Sequence, residues 1–98
     1  MASADPKRII VTESRCHACN DHTFVVHHQT FPELRMEAMS AERAARYLAS
    51  RLEDAIHIVA DAARREAVQL AIDDLRAFVD REVAIRLGRD VHGHPIRS

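Results

Sequence analysis

TFVVHHQTFPELRMEAMSAERAARYLASRLEDAI, Thr23 to Ile56, holds the change of hydrophobic period that decides the fold. Its first part, TFVVHHQT (23–30), is rich in β-branched and aromatic residues and reads as a strand. Pro32 has no N–H to give to a ladder, so it ends that strand or sits at a sheet edge. ELRMEAM (33–39) then alternates, with Leu34, Met36 and Ala38 facing one way and Arg35 and Glu37 the other, the pattern of a half-buried strand. At Ser40 the period changes. Serine is a good helix N-cap and Glu42 suits the positive end of a helix dipole. From there Ala41, Ala45, Leu48, Leu52, Ile56 and Val59 form a stripe at helical spacing.

Working outward from this stretch, RIIVTES (8–14) reads as a further strand. CHACND (16–21) connects it to the next, with Asn20 and Asp21 favouring a tight reversal. Downstream, a second helical pattern runs from about Ala62 to Leu87 with a stripe of Val68, Ala71, Ile72, Leu75, Phe78, Val79 and Val83. Gly88 stands where a helix would end. The two stripes would lie roughly 160° apart on one continuous helix, so two apolar faces would need covering. A break near Ala60–Asp61, with Asp61 capping the second helix, removes that conflict. The expectation is an α+β domain with a three-stranded antiparallel sheet followed by two helices, β-β-β-α-α. Leu34, Met36, Leu48, Leu52, Ile56, Leu75, Phe78 and Val79 should be buried. Residues 1–98 make one small domain, with 1–6 and 89–98 read as flexible tails.

Composition bounds the function. The chain has 98 residues, is 47% hydrophobic and 30% charged, and so should fold as a single core. Its net charge of −1, from 14 basic and 15 acidic residues, gives no electrostatic case for direct contact with nucleic acid or an anionic membrane. No apolar run reaches the length of a transmembrane span, and MASADPKR lacks the apolar segment of a secretory signal. The expected location is the cytoplasm, where Cys16 and Cys19 would be thiols.

RCHACNDH (15–22) holds both cysteines and two of the seven histidines. Cys16-x-x-Cys19 has the spacing of half a zinc knuckle, because two thiolates at a hairpin tip can approach one metal from the same side. His22 and His28 are the candidates to complete the site; His27 points away from His28 on a strand. No second C-x-x-C accompanies the pair. The bland reading is a hairpin tip with two small residues, and the chain is expected to carry no cofactor, with zinc as the alternative. A redox role is disfavoured because a strand, not a helix N-terminus, follows the cysteines. No phosphate loop, nucleophile elbow or H-E-x-x-H is present. The paired carboxylates Glu53-Asp54 and Asp73-Asp74 diverge by about 100° on helices and read as solvated faces. The chain is therefore read as non-enzymatic.

Residues 23–56, with RIIVTES before them, resemble the HicB-like antitoxin domain. Phe31-Pro32-Glu33-Leu34 stands at the bend between strands and Ser40 at the helix cap. The resemblance implies a β-β-β-α core that works by contact with another protein, as an antitoxin or a stand-alone relative. CHACND replaces the glycines usual in the family's first hairpin, and no DNA-binding segment follows. The resemblance implies a toxin-like partner, while apolar helix surface in excess of what a three-stranded sheet can cover leads to the expectation of a homodimer with the long second helix at the interface. A metal-binding accessory protein is the alternative reading.

Overall fold

A computed structural model describes residues 4–16 and 21–93. Three strands, β1 (Ile9–Cys16), β2 (Asp21–His28) and β3 (Phe31–Ala38), precede two helices, α1 (Ala41–Ile56) and α2 (Ala62–Gly93). The strands form one antiparallel sheet in the order β1-β2-β3. The β-β-β-α-α arrangement read from the sequence is the arrangement found. A single 3-10 turn, Pro6–Arg8, leads into β1.

The local chemistry accounts for the boundaries. The Ser40 side chain accepts a hydrogen bond from the Arg43 N–H at 3.1 Å, and the Asp61 carboxylate accepts one from the Ala63 N–H at 3.1 Å. Each cap satisfies a donor that a helix start would otherwise strand. The β1–β2 register is continuous, from Ile9 opposite His28 to Cys16 opposite Asp21. The β2–β3 register shifts between His27 and His28, so that His27 faces Arg35 and His28 faces Phe31. Residues 32–34 bulge out of the ladder there. Pro32 sits in that bulge of an edge strand, where its missing N–H costs nothing.

The helices cover one face of the sheet. Val26 and His28 point into this layer, with Ile9 and Phe31 beside them. Ala44, Ala45, Leu48, Ala49 and Leu52 of α1 meet Val68, Ala71, Ile72, Leu75, Phe78 and Val79 of α2 in the same core. Leu34, Met36 and Ile56, expected to be fully buried, are half-buried at its margin. α1 lies over β2 and β3, while α2 lies against α1 and the 3-10 turn. Glu42 ties the helices at one end, accepting from Arg46 and Arg86 at 2.9 Å each, and Glu53 pairs with Arg76 further along.

Two expectations are corrected at the ends. α2 does not stop at Gly88 but continues to Gly93. Nothing lies within 4 Å of where a Gly88 Cβ would stand, and its backbone is not left-handed. The expected flexible start is anchored from Asp5 onward, as described below.

The radius of gyration is 15.7 Å and the extents are 51 × 41 × 19 Å. A compact chain of this length would have a radius of about 13 Å. The excess comes from two projections. The outer half of the β1–β2 hairpin runs past the helices, and α2, about 48 Å long, outruns α1 at about 24 Å.

Candidate functional site

Alternation along β2 places His28 on the helix side, at the strand's last residue. Midway along α2, Asp74 meets it. His28 Nε2 donates to Asp74 Oδ2 at 2.7 Å, and the Thr30 N–H donates to His28 Nδ1 at 3.0 Å. This pattern assigns the ring proton to Nε2. The 3-10 turn supplies the rest. The Asp5 carboxylate accepts from the Lys7 N–H at 2.9 Å, shaping the turn, and the Asp5 N–H donates to Asp74 Oδ1 at 2.7 Å. Arg8 Nη1 donates to both Asp74 oxygens, at 3.0 and 3.2 Å.

Asp74 is fully buried and His28 is 1% exposed, whereas the Arg8 side chain keeps 28% of its surface. Burial by itself would push the Asp74 carboxyl up. The hydrogen bonds from His28, the Asp5 N–H and Arg8, together with the Arg8 charge, outweigh burial and hold the carboxyl below its ordinary value. The cluster joins three segments far apart in sequence: the chain start, the end of β2 and the middle of α2. Chemically it is a fastener. Both His28 nitrogens and both Asp74 oxygens are engaged within the protein, so neither side chain has an atom free to act on a substrate as base or nucleophile. The sequence reading of Asp74 as a solvated carboxylate is thus corrected. Its signal was present: Asp74 lies three residues after Ala71 and four before Phe78, so it interrupts an apolar stripe.

Of the four metal candidates, only His22 and His28 have described side chains, and these two do not converge. Cys19 and the Cys16 side chain lie outside the described residues; only the Cys16 backbone, at the end of β1, is described. His22 pairs through Nδ1 with the Glu13 carboxylate. His28 stands six residues down the same strand, about 20 Å away. It therefore cannot join His22 on one ion, and its nitrogens are committed to Asp74 and Thr30. Among the described residues, no group of three or more His, Cys, Asp or Glu side chains is placed to hold a metal ion. No helix among them is long and apolar enough to cross a membrane.

Among the described residues, the outer sheet face and a groove beside the helix turn stay open. On the uncovered sheet face lie Ile10, Thr12, Val25, His27 and Arg35, and partial burial, then the charge of Arg35, push His27 down. At the other end, Phe31, Leu34, Leu52, Val59 and Val68 line a shallow apolar groove of about 430 Å³ beside the α1–α2 turn, with Asp61 and Arg64 also lining it. The chain matches no protein-family model, no curated protein and no solved structure.

Proposed function

We propose that this chain is a small, non-enzymatic protein–protein interaction domain of HicB-like kind, an antitoxin or a stand-alone relative, whose copies associate as a homodimer. One observation carries the reading: large apolar side chains stand outside the core. Ile10 is 38% exposed, Val11 40%, Ile85 47% and Leu87 54%. Ile10 and Val11 lie on the edge strand β1, Ile10 on the sheet face that the helices leave open, and Ile85 and Leu87 lie on either side of Arg86 in α2. Such residues on a chain that is not compact fit a surface completed by a partner. The inward-directed Asp74 cluster fits a fastener that ties the chain start, the base of the hairpin and α2 together. The test is sedimentation equilibrium at micromolar concentration. A mass of twice 11.1 kDa supports self-association. A strictly monomeric chain across that range removes the homodimer and leaves these side chains to a toxin-like partner.

A further inference from the structure

β1 and β3 are the two edges of the sheet. The β3 edge carries devices that discourage pairing: Pro32, the bulge beside it, and alternating charges at Glu33, Arg35 and Glu37. The β1 edge, IIVTESRC, has no proline, no lysine and no bulge along eight paired residues, and Ile10 to Arg15 are all exposed. The Gln29 N–H donates to the Arg8 carbonyl at 3.0 Å, which fixes the parity of the ladder. Even-numbered β1 residues direct their N–H and C=O toward β2. Val11, Glu13 and Arg15 direct theirs outward, and no described backbone group meets them.

We propose that β1 pairs antiparallel with β1 of a second copy about a two-fold axis at Ser14, joining two sheets into one of six strands. This rests on the interaction-domain reading and names its partner and surface. The helical expectation is less well served, since Ile85 and Leu87 point about 200° apart on α2 and form no single face. Charge selects both the occupant and the register. A two-fold axis normal to the sheet sets residues of the same face opposite one another. An axis at Glu13 would oppose two Glu13 carboxylates, and an axis at Thr12 would oppose Glu13 to Val11. The axis at Ser14 sets Glu13 opposite Arg15 of the second copy, twice. Both are outward-directed positions, so each pair exchanges its N–H···O bonds and also matches opposite charges. Glu13 also meets His22 within its own chain, and Arg15 lies across the β1–β2 ladder from His22. The second Glu13 oxygen remains for the partner. Because the axis is normal to the sheet, both helical layers lie on one face.

A charge swap tests the register. Glu13→Arg alone, or Arg15→Glu alone, opposes like charges at both pairs and should weaken dimerisation about tenfold or more. The double swap, Glu13→Arg with Arg15→Glu, restores opposite charges within the same chain and should recover the native dissociation constant to within about threefold. Sedimentation equilibrium reads all four proteins, and recovery in the double variant also shows that the swapped chains fold. A dimer indifferent to the single swaps, or not rescued by the double, overturns the β1 pairing while leaving self-association standing. A wild-type chain that is monomeric throughout overturns both.

Discussion

Replacing Asp74 by asparagine keeps the shape of the side chain and removes its charge. One amide oxygen can still accept from the Asp5 N–H and Arg8. The amide NH₂ must then face the His28 Nε2–H, a donor against a donor. His28 is 1% exposed and cannot turn to solvent. Nor can its ring proton move to Nδ1, because the Thr30 N–H already donates there. A stranded buried donor costs about 1–3 kcal/mol. The bond from Arg8 falls from a charge-assisted to an ordinary one, a further loss of about 1 kcal/mol, reduced because Arg8 is partly solvated. The expected total is about 2–4 kcal/mol, a large share of the stability of a domain this size. Urea unfolding followed by circular dichroism should show it as a lower midpoint with an unchanged slope. The pH dependence follows from the depressed Asp74 carboxyl. Its contribution is complete above the unfolded carboxyl value of about 3.9 and is lost as pH falls through the lower folded value. The gap between wild type and Asp74→Asn should therefore narrow in strong acid. A loss below about 1 kcal/mol at neutral pH would refute the fastener.

Leu52, 2% exposed, lies between the helices and the sheet, and Leu52→Ala should cost about 2–5 kcal/mol in the same assay; a loss below about 1 kcal/mol would undo the α1 register. Gly88→Ala reads the corrected end of α2, because alanine in an open helix interior should stabilise by about 0.5–1 kcal/mol, whereas at a left-handed helix end it would destabilise. Elemental analysis of freshly purified, untagged protein should find zinc well below one per chain. One zinc per chain, lost with a fall in melting temperature when Cys16 and Cys19 become serine, would favour the metal-binding reading.

Period and caps made most of the fold legible. The switch at Ser40, the alternation of Leu34, Met36 and Ala38, and the conflict between two helical stripes led to three strands, two helices and a break at Asp61. Strand ends were less legible. Pro32 reads as a stop, yet a bulge in an edge strand accommodates it, so β3 begins at Phe31. Gly88 reads as a helix end, but a glycine with open space around it also fits a helix interior. The Asp74 cluster was legible only in part. A carboxylate within an apolar stripe signals burial, but its partners, His28 and Arg8, lie 46 and 66 residues away, and no local pattern encodes their meeting. The open β1 edge was hidden for a similar reason: which N–H groups face outward depends on the β1–β2 register.

Amide hydrogen exchange at rising protein concentration reads the pairing of β1 with a second copy residue by residue. Ile10, Thr12 and Ser14 direct their N–H groups at β2 and should be protected at every concentration. Val11, Glu13 and Arg15 direct theirs to the open edge. Glu13 and Arg15 should exchange fast in dilute solution and slow markedly as concentration rises into the dimeric range, with Val11 less affected. Equal and rapid exchange of Glu13 and Arg15 at all concentrations, in a sample whose mass shows a dimer, would rule out β1 as the contact.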